Sequence, residues 1–366
     1  MTILTLIAAL VLAAQSAESE DAARFNLLLE QARGARNAAR YAEAERLCRE
    51  AETVARRLLP SVDGLLLIRN ELGLALTWQG RHGEAIELLQ EVLPAAIKRS
   101  PQVHLATAVN LGVSYRMVGR LLEAESVLRR ALRAPGAGEF TEALAAQSQL
   151  AGIEGELGRR KAAEALYREV LAKQTRRLGP LHRETLATLA GLIERLIAWK
   201  RVAEAEPLAL RFVADNAEAE AAVHPSQATG RYYLGILYGQ RKRYPEAAEQ
   251  LLRAREILEA SVGKRSPKMA TVLDALASVE AKRGNFGAAL ALSREAVAIC
   301  EDVLGPRHPT TGIRLDHYAD VLQRLKHHDL ARQARERALA IAKDSAAADG
   351  AALHIDWDTL RREAGR

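Results

Sequence analysis

Gly80-Arg81-His82-Gly83-Glu84-Ala85, followed by apolar Ile86, Leu88, Leu89 and Val92, is the stretch on which the reading turns. It looks like the end of one helix, a tight turn, and the start of a second helix whose apolar residues fall on one face. The same block recurs as ARYAEA to Ala44, GRLLEA to Ala124, GRRKAA to Ala163, KRVAEA to Ala205, KRYPEA to Ala247, GNFGAA to Ala289 and KHHDLA to Ala331. The spacings between these alanines are 41, 39, 39, 42, 42, 42 and 42 residues. A period sustained over that many copies is the signature of a repeat architecture.

Two further columns keep the same register. Twelve residues before the alanine stand Ala32, Gly73, Gly112, Ala151, Ile193, Gly235, Ala277 and Ala319; seven after it stand Ala51, Val92, Ala131, Val170, Phe212, Ala254, Ala296 and Ala338. Helices joined by a short turn approach closely only where side chains are small, so these columns belong on the facing sides of a helical hairpin. Ile193 and Phe212 break the pattern together, which predicts looser packing in the fifth unit. Gly80, Gly119, Gly158 and Gly284 stand where a helix C-terminus favours a left-handed residue. Lys200, Lys242 and Lys326 occupy that column in three other units and suit it less well. Pro60, Pro101, Pro180, Pro225, Pro267 and Pro309 fall at the connections between units.

This pattern resembles the tetratricopeptide repeat (TPR). The longer period and the segments LGPLHRETLATL (Leu178–Leu189) and LGPRHPTTGIRL (Leu304–Leu315) resemble the kinesin light-chain form of it. The resemblance implies an all-α, right-handed superhelical solenoid of about eight helix-turn-helix repeats over residues 18–343. Residues 1–17 read as a signal peptide. Residues 344–366 read as a C-terminal segment: a loop over Asp344–Ala351, an extended piece at Leu353–Ile355, and a capping helix from Trp357 to about Glu363.

The composition agrees: 49% hydrophobic, 27% charged and only 4% aromatic, with two cysteines. Ile3–Ala14 is apolar but shorter than the roughly 20 residues that cross a bilayer. It suits a secretory h-region with small residues behind it, although no Lys or Arg precedes it. A periplasmic or secreted location follows from that reading, with a cytoplasmic one as the alternative. No phosphate loop, GxSxG, HExxH or CxxC occurs. Cys48 and Cys300 fall in the first and seventh units, which cannot meet if each repeat touches only its neighbours. His317, His327 and His328 lack carboxylates at ligand spacing and read as a solvated turn, so no metal, cofactor or catalytic group is expected. His182, His224 and His308, at connections, are expected to cap helices or pack the corner. The formal charge is +6, with most of the excess in residues 101–180 around Arg129, Arg130, Arg159, Arg160 and Lys161, too sparse in aromatics for a nucleic-acid stripe.

In the TPR family the first helix of each repeat lines a concave groove that takes partner proteins or peptides. Carried onto this sequence, the groove columns lie 18, 15, 11 and 8 residues before each repeat alanine. They give Arg33, Arg36, Asn70, Thr77, Val109, Arg116, Ser148, Gly152, Gly155, Glu194, Tyr232, Asp274, Asp316, Asp320 and Gln323. On that reading the groove runs from basic to acidic, and a cationic partner segment would dock on Asp274, Asp316 and Asp320. The expected function is a non-enzymatic protein-protein interaction scaffold. The alternatives are an enzyme or a small-ligand or metal sensor using the groove, and a self-associating assembly protein.

Overall fold

The computed structural model describes residues 3–58, 62–217 and 225–349. Sixteen α-helices follow one another with no strand among the described residues. The first helices of the eight hairpins are α1 (Ile3–Asn37), α3 (Val62–Trp78), α5 (Pro101–Met117), α7 (Thr141–Glu156), α9 (Arg183–Ala198), α11 (Pro225–Gln240), α13 (Pro267–Lys282) and α15 (Pro309–Arg324). Their partners are α2 (Tyr41–Ala55), α4 (His82–Arg99), α6 (Leu121–Leu132), α8 (Arg160–Leu178), α10 (Val202–Ala217), α12 (Tyr244–Val262), α14 (Phe286–Val303) and α16 (His328–Asp349). Each helix packs on the next in the chain, and most first helices also meet the first helix of the following hairpin. The array is the expected all-α solenoid.

The repeat alanine is the fourth residue of every second helix. All eight, Ala44 to Ala331, are at most 1% exposed. The small residue twelve positions earlier faces a larger one four positions after the alanine. A Cβ on Gly73 would lie 2.7 Å from the Leu89 side chain, one on Gly112 3.1 Å from Leu128, and one on Gly235 2.6 Å from Leu251. In the fifth hairpin the sizes are exchanged. Ile193 replaces the glycine, and Ala209 stands in the leucine column. Ile193, Ala209 and Phe212 are all at most 1% exposed within one apolar cluster, so the fifth hairpin is as tightly packed as the rest, contrary to the sequence expectation. Volume is conserved across the pair, which is what a close-packed interior requires.

The turns account for the column five residues before the alanine. Gly80, Gly119, Gly158 and Gly284 have φ between 75° and 84°. Lys200, Lys242, Lys326 and Ala39 are forced to the same sign, with φ from 58° to 63°. A side chain there is strained, since the left-handed region crowds Cβ against the next carbonyl.

The LGPxHxxT connections are built from local hydrogen bonds. Gly179 and Gly305 end their helices at φ 94° and 103°. Nδ1 of His182 accepts from the Glu184 amide and Nδ1 of His308 from the Thr310 amide, so both histidines cap the next helix as expected. The hydroxyls of Thr185 and Thr311 donate back to the Gly179 and Gly305 carbonyls at 2.9 Å. His224 lies outside the described residues. Pro101, Pro267 and Pro309 open helices, where their missing N–H is not needed.

Two further expectations are corrected. Helix α16 runs on to Asp349, so Asp344–Asp349 is helix and not loop; the sequence Ser345-Ala346-Ala347-Ala348 favours continuation. Leu353–Ile355 and Trp357–Glu363 lie outside the described residues. Contacts also extend beyond neighbouring repeats. Nε2 of His308 lies 3.2 Å from the Trp78 carbonyl oxygen, 230 residues away, and α16 touches α4. The eighth hairpin therefore reaches the second.

Candidate partner-binding groove

The first helices line the inner face. One cavity of about 670 Å³ is walled by α1, α3, α5, α7 and α9, with Gln174 reaching in from α8. A second, of about 450 Å³, is walled by α11, α13 and α15, with Ser293 from α14. The expectation that the first helix of each repeat faces the groove therefore agrees with the geometry. What the polar groove residues do is different.

Most of them are used to join one repeat to the next. Arg33 pairs with Glu71 at 2.9 Å, and Arg36 lies 3.4 Å from the same carboxylate. Asn110 donates to Asn70 Oδ1 at 3.0 Å. Thr188 donates to Ser148 at 3.0 Å. Glu156 is held by Arg116 at 2.8 Å and by Arg195 at 3.3 Å. Tyr233 donates to Glu194 at 2.7 Å. Asp274 accepts from Arg314 and from His317 Nδ1, both at 2.7 Å. Each bond spans adjacent first helices, so the inner face is tied together by a ladder of polar rungs.

Position by position, Arg33, Arg36, Asn70, Val109 and Ser148 line the larger cavity, and Tyr232, Asp274 and Asp320 the smaller. Glu194 and Tyr232 line a side pocket with Lys268. Thr77 does not reach the groove; it is 2% exposed and bonded to Ser114 at 2.8 Å. Gly152 serves packing, since a Cβ there would lie 3.1 Å from the Tyr167 hydroxyl. Gly155 does likewise, against Arg195 at 3.0 Å. Gln323 is exposed and lines neither cavity.

The acidic end is not free. Arg314, only 12% exposed, neutralises Asp274. Asp316 and Asp320 both turn to Arg335 on α16, at 3.4 and 2.5 Å. Burial and the neighbouring Asp320 hold the Asp316 carboxyl above its usual range. The Asp274 carboxylate, bonded to His317, holds that imidazole above its ordinary value. At the opposite end Arg33 and Arg36 are matched by Glu71. The basic-to-acidic polarity expected from the sequence is therefore cancelled by partners the column reading did not include: Glu71, Asn110, Glu156, Arg314 and Arg335. Polar residues recurring about 40 positions apart on successive first helices were the signal for several of them.

The outer face follows the same logic. Arg81 reaches Glu45 of the previous hairpin at 2.8 Å, Arg159 reaches Glu125 at 2.8 Å, and Arg201 reaches Glu164. Arg129 joins this ladder through Glu125 and Glu154, so Arg129 and Arg159 are the ion-paired members of the basic group in the third and fourth hairpins. No group of three or more metal-ligating side chains occurs among the described residues. Cys48 and Cys300 are buried and unpaired, and burial pushes the Cys48 thiol up to about 12.

Tetratricopeptide-repeat family models match residues 64–135 and 268–344 in one form and 138–184 and 228–268 in another, together well over half the chain. The chain is a tetratricopeptide-repeat protein. No curated protein matches this TPR chain. Among solved structures it is similar to kinesin light-chain TPR-like repeats from Podosopora anserina, 25% identical over 55% of this chain and 95% of that one, TM-score 0.45. It shares its fold with a Rap protein complexed with Competence and Sporulation Factor, 14% identical over 90% of this chain and 99% of that one, TM-score 0.55. It also shares it with NprR in complex with its cognate peptide NprX, 13% identical over 84% and 87%, TM-score 0.54.

Proposed function

We propose that this TPR protein is a non-enzymatic scaffold that holds an extended segment of a partner protein, or a free peptide, along the inner face of its superhelix. The observation that carries this is the cavity of about 670 Å³, walled by five successive first helices and floored by fixed polar rungs. A wall whose side chains are already bonded to one another is preorganised, so little further ordering is needed when a ligand binds. Exposed small residues such as Ala187, with Ala106 and Ala145 beside it, leave room for a chain to lie against the rungs. The Rap and NprR structures, which share the fold, are complexes with a named factor and a named peptide. Tyr232 is the amphipathic anchor in the second cavity; burial raises its hydroxyl above the ordinary tyrosine value.

Selection of peptides from a random-sequence library on the full chain, followed by affinity measurement, tests this. Ala106→Arg/Ala187→Arg fills the groove without entering the core and is expected to abolish binding while leaving helicity and melting intact. Undiminished affinity in that variant refutes the groove as the site. The apolar run at Ile3–Ala14 further supports export. Cleavage after Ser16 or Ala17 leaves Glu18–Asn37 to form the first hairpin with α2, and N-terminal sequencing of the protein from its host checks this.

A further inference from the structure

We propose that the corner between α3 and α4 and the start of α15 form a latch that closes the solenoid into a ring, and that His308 and His82 open this latch on acidification. The proposal is independent of what the groove binds.

The seam is specific. Nε2 of His308 is 3.2 Å from the Trp78 carbonyl oxygen, and Nδ1 of the same ring accepts the Thr310 amide at 3.1 Å. Together these bonds define one neutral tautomer: Nε2 carries the proton and donates, while Nδ1 is bare and accepts. Gly80 fits beneath the incoming helix because it has no side chain. A Cβ there would lie 2.8 Å from Pro309 Cδ and 3.4 Å from the His308 ring. The equivalent Gly158, at almost the same φ, has nothing within 4 Å. His182, the counterpart of His308 in the fifth hairpin, caps its helix in the same way without a bond to a distant hairpin. The contact therefore arises at the seam and is not a property of every repeat.

Protonation works against this geometry. A proton on His308 Nδ1 meets the Thr310 N–H, so cap and charge cannot coexist. His82, 4% exposed, has a buried Nδ1 with no partner, which a proton there would leave as an unsatisfied donor. Burial depresses both imidazoles to about 4, and in His308 the proximity of His82 adds to it. The other charged groups around the seam are largely committed elsewhere. On the α3–α4 side Arg81 is held by Glu45 and Glu84. On α16 Asp329 pairs with Arg332, Arg335 with Asp316 and Asp320, and Arg337 with Glu301. Arg307 flanks His308 in the connection and is exposed. None of these groups acts on His308; beyond burial, His82 lowers it and the hydrogen bond to the Trp78 carbonyl works the other way.

The closed form has the lower pKa, so its advantage is complete above the open-state value of about 6.5 and disappears as pH falls toward 4. One imidazole titrating at those two values shifts the open-to-closed ratio about 80-fold over that interval, and about 300-fold in the limit well below it.

Small-angle X-ray scattering of the full chain from neutral pH to about 4, with far-UV circular dichroism at each point, tests the latch. The radius of gyration of the wild type is expected to rise while helicity holds. His308→Asn/His82→Gln keeps a capping side chain but cannot be protonated, so its dimensions are expected not to change with pH over this range. At neutral pH Gly80→Asn is expected to open the ring and Gly158→Asn to leave it closed, because asparagine tolerates the backbone at both sites. A wild-type radius that changes only when helicity collapses overturns the proposal. So does an acid-induced opening that is identical in the double variant, or equal dimensions for the two asparagine variants.

Discussion

Gly235→Ala isolates the packing rule that sets the distance between paired helices. A methyl at this position would sit 2.6 Å from Leu251 Cγ and 2.9 Å from Cδ2, with the Ala247 carbonyl oxygen at 3.2 Å on the other side. Leu251 is fully buried, so it can yield only by displacing its neighbours. Overpacking of this kind costs about 1–3 kcal/mol. Replacing glycine by alanine inside a helix returns about 1 kcal/mol of propensity. At Gly34 of α1, where nothing lies within 4 Å, only the second effect operates. Urea titration followed by circular dichroism is therefore expected to show Gly34→Ala as stabilising, and Gly235→Ala as less stable than it by about 1–3 kcal/mol. The penalty should vanish in a Leu251→Ala background, whose own cost is about 2–5 kcal/mol. That combination of a larger residue in the small column and alanine in the leucine column already exists at Ile193 and Ala209. If Gly235→Ala stabilises as much as Gly34→Ala, or if its effect is unchanged in the Leu251→Ala background, close approach at this column is not what selects glycine.

Lys200→Gly, Lys242→Gly and Lys326→Gly should each stabilise the protein, by about 1 kcal/mol in thermal or urea unfolding, since each lysine holds a left-handed φ. Asp274→Ala removes the counter-charge of the partly buried Arg314 and is expected to destabilise the protein, by up to about 3–5 kcal/mol, in the same assays. His317 should titrate above 6.5 by NMR in the wild type and fall in Asp274→Asn. Its pairing adds stability that is complete below 6.5 and fades as pH rises through the folded value. Cys48 should react with a thiol reagent only on unfolding, and rapid modification of the native protein would contradict its burial.

The hairpins, the repeat alanines and the inward side of the first helix were legible because each follows from a short-range rule repeated many times. Small columns mark close helix approach, and a glycine five residues before the alanine marks a left-handed turn. The LGPxHxxT connections were legible as corners, although the threonine bond back to the glycine carbonyl was not. The tightness of the fifth hairpin was hidden because its compensation lies on the other helix: Ile193 is read correctly only together with Ala209. Groove electrostatics were hidden for a similar reason. The charges of Asp274 and Arg33 stand in the groove columns, but their partners Arg314 and Glu71 lie one repeat away and cancel them. The closure between Trp78 and His308 has no local trace at all, because it depends on the accumulated rotation of the intervening units.

The central claim is that a partner lies along the first helices, and hydrogen–deuterium exchange of the full chain with and without a library-selected peptide tests it most directly. The account predicts added protection on α3, α5, α7 and α9, around Asn70, Asn110, Ser148 and Thr188, with the outer surfaces of α4, α6 and α8 unchanged. Protection confined to those outer helices would contradict it.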